Sequence, residues 1–244
     1  MIRGVFYRKQ RAALNGFHPV HRTLVEERAT AVTLRPADTD GLIRSFAAHA
    51  AAIRRRRWRL PERVPGVLVP LMRVLAADMR ADAPLGVAVD FRGPKAPGKE
   101  GPAIALPVRL PYLSVRQWFA FDPWLRMRAE LRDGGALELA VVDRVRFRRI
   151  KKNSSRGKIK IKTKSKTVRL VTVSRRLPKG AVLTRPATPP PGWIAVRVKE
   201  GSRPVVRVRA RLPESVEGPE LVRRTLLMTT ETFRWTAPQP RRSR

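Results

Sequence analysis

"WLRMRAELRDGGALELAVVDRVRFRRI" occupies residues 124–150, and its reading decides the fold. Apolar residues recur at alternate positions on both sides of Asp133-Gly134-Gly135, the period of a half-buried strand. A three-residue loop, 133–135, is predicted to join two strands into a hairpin, with glycine in the left-handed position of the turn. Pairing Leu131 with Leu137, Ala129 with Leu139 and Met127 with Val141 keeps the apolar residues on one face. The same register sets Glu130 against Glu138, a like-charge pair that counts against it.

The second strand continues to about Lys152, and its even positions become Arg144, Arg146 and Arg148. Next comes "KKNSSRGKIKIKTKSK", residues 151–166, with lysine at every second position from Lys158 to Lys166. Residues 153–157 read as a five-residue turn ending in glycine. With Lys152 facing Lys158, Arg148 faces Lys162, Arg146 faces Lys164 and Arg144 faces Lys166. Phe147 then lies beside Thr163 and Val145 beside Ser165. One face of this hairpin is predicted to be a double row of cations. The apolar parity shifts at Val168, which predicts a bulge there. "WIAVRVKEGSRPVVRVRARL" repeats the pattern: pairing Val198 with Val206 sets Val196 opposite Val208 and Arg197 opposite Arg207.

The flanking segments read differently. "RGVFYRK" is predicted as a first strand. A helix is expected over about 39–58, ending in Arg54–Arg57 where the helix dipole favours cations, and a second over about 66–81. Pro70 fits only the first turn of the latter. "LGVAVDF" is a buried strand, and "RGPKAPGKEGPAIALP" is a loop. A closing helix spans about 219–235, with Gly218 as N-cap and Pro219 at the first helical position.

The expected fold class is α+β: N-terminal helices, a mainly antiparallel sheet of consecutive hairpins from about 112 to 212, and a C-terminal helix on its apolar face. The expected organisation is a helix-rich part, 1–111, a sheet part, 112–236, and a basic tail, 237–244, or all of these as one domain.

Composition narrows the function. The chain has 53 Lys and Arg against 19 Asp and Glu, a net charge of +34, and a compact body with that charge repels itself. Arginine outnumbers lysine 41 to 12, yet eight of the lysines lie between Lys151 and Lys179. From Arg144 to Lys199 there are 19 Lys or Arg and no Asp or Glu. Such a window suits phosphate contact, with lysine as a mobile point charge. Without cysteine there is no disulfide and no thiol site. No secretory signal or membrane-spanning run is predicted, so the expected location is cytoplasmic and no membrane partner is expected.

Other features have bland explanations. Trp118, Phe119, Phe121 and Trp124 can stack bases, but core packing is the simpler reading. His18, His21, Glu26 and Glu27 offer metal-ligand types in a weak H-x-x-H setting, and Pro19 argues against a regular helix there. Asp78, Asp82 and Asp90 are too few, and too far from the basic window in sequence, for a metal-dependent nuclease. Walker A, G-x-S-x-G and zinc-finger spacings are missing.

The expectation is therefore a non-catalytic protein that binds nucleic acid, RNA or DNA, through a basic β-hairpin. Contacts are largely to phosphate, no metal or cofactor is needed, and a place as subunit of a larger assembly fits the charge. The residues expected to bind are Arg144, Arg146, Arg148, Lys151, Lys152, Arg156, Lys158, Lys160, Lys162, Lys164, Lys166, Arg197 and Arg207. Two alternatives stay open: a scaffold or adaptor docking on an acidic protein, and a nuclease or other nucleic-acid enzyme with an unrecognised site.

Overall fold

In the computed structural model, residues 3–154 and 157–236 are described. Helices α1 (Arg3–Asn15) and α2 (Pro19–Glu26) precede strand β1 (Ala29–Leu34) and helix α3 (Pro36–Ala52). A 3₁₀ turn, Arg56–Trp58, and a π-helical turn, Val64–Leu68, lead into α4 (Val69–Asp78). Strands β2 (Leu85–Asp90), β3 (Ile104–Leu106), β4 (Tyr112–Glu130), β5 (Ala136–Asn153) and β6 (Ile159–Arg176) follow. Strands β7 (Ile194–Lys199) and β8 (Val205–Pro213) come before the closing helix α5 (Gly218–Phe233).

The α+β expectation holds. All ladders are antiparallel, in the order β1-β2-β4-β5-β6-β8-β7, with β3 on the edge of β4. The sheet begins at Ala29 rather than near 112, because β2 pairs with the second half of β4 across position 111. Leu42 and Phe46 of α3, Leu71 and Leu75 of α4, and Leu221 and Met228 of α5 share one core with Met127, Leu139, Val141, Val171, Val173 and Val208. The helices thus cover one face of the sheet and leave the other open. Among the described residues, no helix is long and apolar enough to cross a membrane.

Both long hairpins are shifted by two residues from the sequence-based registers. In β4–β5, Ala129 pairs with Leu137, Met127 with Leu139 and Leu125 with Val141. The loop still has three residues, but they are 132–134: Leu131 N–H donates to Gly135 C=O at 2.8 Å, and Gly134 takes φ +78°. Asp133 fixes this choice, since its carboxylate accepts the Gly135 N–H at 2.8 Å and pairs with Arg175. Glu130 then faces Ala136, and Glu138 faces Arg128 and bonds Arg126 at 2.7 Å, so the like-charge objection disappears. In β5–β6 the ladder closes further toward its tip, with Asn153 opposite Ile159 and Ser154 N–H donating to Lys158 C=O at 2.8 Å. A shift of two preserves which face each side chain occupies. The β7–β8 register, with Val198–Val206, Val196–Val208 and Arg197–Arg207, is as expected.

The bulge expected at Val168 is missing. The β5–β6 ladder runs unbroken, because Arg169 and Arg175 take buried positions beside Val171 and Val173. The register shifts lie in β4 instead, at Tyr112/Ser114 and Pro123/Leu125. The second changes the inward parity from Ala120 and Asp122 to Leu125, Met127 and Ala129.

The N-terminal region departs from expectation in four places. "RGVFYRK" lies in helix α1, whose Leu14 is buried with Val25 and Ile53. Pro19 begins α2 instead of preventing it, since the first helical position needs no N–H partner, and His18 Nδ1 accepts the Val20 N–H. Helix α3 stops at Ala52, because Ile53 turns extended to reach that small cluster, so Arg54–Arg57 lie beyond the helix. The helix expected over 66–81 begins as the π-helical turn at Val64 and ends at Asp78, with Pro70 in the first turn of α4. At the other end, α5 starts one residue early, with Glu217 as N-cap.

His21 and His49 make a buried pair that gives the fold a pH dependence. His21 Nδ1 lies 2.8 Å from Ser45 Oγ, and its Nε2 lies 2.9 Å from His49 Nδ1. His49 Nε2 accepts the Leu60 N–H, so its proton sits on Nδ1 and is donated to His21. Burial, aided by the nearby His49 and His18, lowers the His21 pKa from 6.5 to about 4. Burial lowers that of His49 too. Unfolded imidazoles take up protons near pH 6.5, while folded His21 resists until about pH 4 and burial shifts His49 in the same direction. Stability present above the unfolded pKa is therefore lost as pH falls through this window. Urea unfolding at pH 7 and pH 4 is expected to show a loss of up to about 3 kcal/mol from His21, and a smaller loss in His21→Gln.

Candidate functional site

Beyond the main sheet, β4, β5 and β6 continue as an arm. Strand β8 pairs with β6 only from Val168 to Arg176, and β2 pairs with β4 only from Leu125 to Arg128. Tyr112–Asp122, Asp143–Asn153 and Ile159–Thr167 therefore project together, flanked by β3. Strand β5 lies inside this arm. Among the described residues, β6 carries no ladder partner on its outer side along Ile159–Thr167.

The register arranges the open face in rows across β4, β5 and β6. Phe121, Arg144 and Val168 form one row, and Phe119, Arg146 and Lys166 the next. Gln117, Arg148 and Lys164 follow, then Val115, Ile150 and Lys162, with Lys152 opposite Lys160 near the tip. On this face, three positions of the β5–β6 ladder set cation directly against cation, Arg146–Lys166, Arg148–Lys164 and Lys152–Lys160, while Arg116–Arg149 of the β4–β5 ladder does so on the opposite face. The expected Arg144–Lys166 pair is replaced by Arg144–Val168, and Lys162 faces Ile150. The expected neighbours of the inward side chains change likewise, to Phe147–Ser165 and Val145–Thr167. Lys160, Lys162, Lys164 and Lys166 are exposed, and Arg144, Arg146 and Arg148 are half-buried. Arg148 Nε donates to Gln117 Oε1 at 2.7 Å, and the Arg144 guanidinium lies 5.9 Å from the Phe119 ring centroid. Among the described residues, no ion pair neutralises any of these seven side chains.

The other expected binding residues are scattered. Lys151 occupies the opposite face, paired with Ile161, because its position is odd. Lys158 lies at the turn, and Arg156 lies outside the described residues, as does the tail 237–244. Arg197 and Arg207 share the open face but sit in the row of Ser174, eight residues along β6 from Lys166, or about 27 Å. Exposed Arg209 and Arg211, opposite Thr172 and Leu170, extend the cationic surface between them and the arm.

The aromatic segment divides between the faces. Trp124 is buried in the core, and Trp118 stacks on Phe147 under the arm at 5.4 Å. Phe119 and Phe121 fall on the cationic face, which sequence distance from the basic window concealed. The chain shows no significant match to any known protein family, curated protein or solved structure.

Beneath the arm, Asp122, Asp143 and Arg169 form a single row across β4, β5 and β6. The Arg169 guanidinium grips Asp143 with two bonds of 2.8 and 3.0 Å, and Arg63 adds a third at 2.9 Å. Arg169 also donates to Val216 C=O and reaches Glu217 at 3.1 Å. Lys99 bridges Asp122 at 2.5 Å and Asp90 at 2.9 Å. Burial raises the Asp122 pKa, against the pull of Lys99. Asp122, Asp143, Arg169, Arg63 and Glu217 line a cleft of about 880 Å³ with Lys95, Phe91 and Phe147. Carboxylates therefore do come together at the base of the basic hairpin, although sequence spacing keeps them apart, and both are engaged by cations. Asp90 is also held by Arg92, and Asp82 by Arg80. His18 caps α2, His21 engages Ser45 and His49, and Glu26 and Glu27 are exposed. Among the described residues, no group of three or more His, Asp or Glu side chains is placed to hold a metal ion.

Proposed function

We propose that the protein binds nucleic acid through the open face of the arm, without catalysis, by phosphate contacts that read little sequence. The observation that carries this is the position of the arginines. Lysines on an unpaired edge have a sufficient reason in blocking edge-to-edge aggregation, and Lys160–Lys166 on β6 lie on such an edge. Arg144, Arg146 and Arg148 lie on β5, which is paired on both sides, so edge protection does not account for them. Directly opposed like charges cost about 0.2–1 kcal/mol per pair. A polyanion laid across the face reverses that sign and releases counterions from its phosphates. The same reading makes the protein a cytoplasmic component of a larger assembly, in which its net charge of +34 is neutralised by the partner.

The test is a competition between oligonucleotides and polyglutamate for the purified protein, together with the 260/280 absorbance ratio of the freshly isolated sample. Preferential oligonucleotide binding and a raised ratio are expected. Preference for polyglutamate would transfer the face to an acidic protein partner.

A further inference from the structure

We propose that the open face of the arm is a platform for single-stranded nucleic acid, with bases stacked on Phe119 and Phe121 and the backbone running along Arg144, Arg146, Lys164 and Lys166. This rests on the nucleic-acid reading above and names its substrate class. The two rings stand at alternate positions of β4, in the rows of Arg146–Lys166 and of Arg144. Phe121 is 54% exposed, a large apolar ring open to water beside cations. Burying such a ring is ordinarily favourable, and the fold leaves more than half of it open to water here. Edge protection does not explain the rings either, since here β4 is paired with β5 on one side and bonded on the other by Lys99–Gly101: Gly101 N–H donates to Phe119 C=O at 2.8 Å and Phe121 N–H to Lys99 C=O at 3.0 Å.

Geometry favours a single strand over a duplex. Alternate residues of a strand stand about 6.8 Å apart, roughly twice the 3.4 Å rise of stacked base pairs. A duplex keeps its base faces sealed against each other and offers only edges in its grooves. A splayed single strand can lay base faces on rings at that spacing while its phosphates reach the flanking cations. The Arg144 guanidinium, 5.9 Å from the Phe119 ring centroid, adds a flat cationic partner for a stacked base. Aromatic side chains on an open sheet are a general means of holding unpaired bases, and stacking tolerates any sequence.

The experiment uses the full chain and three fluorescent probes of equal length: oligothymidylate, oligouridylate and a DNA duplex. Either single strand is expected to bind more tightly than the duplex, and comparing the two identifies the preferred sugar. Phe121→Ala should weaken single-strand binding by about 5- to 100-fold and leave duplex binding unchanged, whereas Phe121→Tyr should retain it. The exposed position leaves the core intact, as circular dichroism of the variants would verify. Equal binding of strand and duplex, both indifferent to Phe121→Ala, overturns the platform and leaves the phosphate reading standing. Absence of binding to all three probes overturns both.

Discussion

Replacing Lys158, Lys160, Lys162, Lys164 and Lys166 together by glutamine is expected to weaken oligonucleotide binding by about a thousand-fold at low salt and to flatten its salt dependence. Each phosphate no longer neutralised should reduce the slope of log K against log salt by about 0.7 for a single strand and 0.9 for a duplex. Folding gives the control. Lys160, Lys164 and Lys166 each oppose another cation in the ladder, so removing them relieves all three like-charge pairs of the β5–β6 hairpin. The variant should unfold at the same temperature as the parent or higher, and its weaker binding then does not come from unfolding. Lys95, which lines the cleft beneath the arm, and Lys179, which lies in the connection between β6 and β7, mark positions off the open face. Glutamine at these two should change binding by much less. If the five-site variant binds as the parent does, the arm is not the interface.

Asp143→Ala should cost about 3–5 kcal/mol of stability, the range for removing one partner of a buried ion pair. Arg169 is 1% exposed and would keep its charge with only Glu217 and a carbonyl near it, while Arg63 would be deprived of its shortest ion pair. At about 2–4 °C per kcal/mol for a chain of this size, the melting temperature should fall by about 6–20 °C. The exposed Arg126–Glu138 pair is the comparison, and Glu138→Ala should cost less than about 1 kcal/mol. Equal effects would mean that the Asp143 row does not anchor the base of the arm. Because that row spans β4, β5 and β6 where the arm leaves the main sheet, Asp143→Ala should also loosen oligonucleotide binding without altering the charge of the open face.

Period-two patterning made the hairpins legible, since a strand with one buried face repeats its apolar residues at alternate positions. It placed Arg146, Arg148 and the β6 lysines on one face even though the registers are offset by two, because such an offset leaves every side chain on its own face. Turn geometry set the offset, and a side chain distant in sequence decided it: Arg175 holds Asp133 in the β4–β5 turn. Buried charge was the main source of error. Arg169 and Arg175 break the apolar alternation of β6 and imitate a bulge, while the register shifts sit in β4, at Tyr112/Ser114 and Pro123/Leu125. A signal was present, because Asp143 and Arg169 each interrupt an apolar series and a cross-strand ion pair satisfies both. Phe119 and Phe121 needed the β4–β5 pairing, which carries them from a neighbouring stretch of sequence onto the cationic face.

The salt dependence of binding between the parent protein and a single-stranded oligonucleotide tests the central claim most directly. Among the described residues, eight cations occupy ladder positions on the arm's open face: Arg144, Arg146, Arg148, Lys152, Lys160, Lys162, Lys164 and Lys166. With roughly six to eight phosphates neutralised, log K should fall against log salt with a slope of about −4 to −6. A slope near zero, or no binding at any salt concentration, would contradict the account.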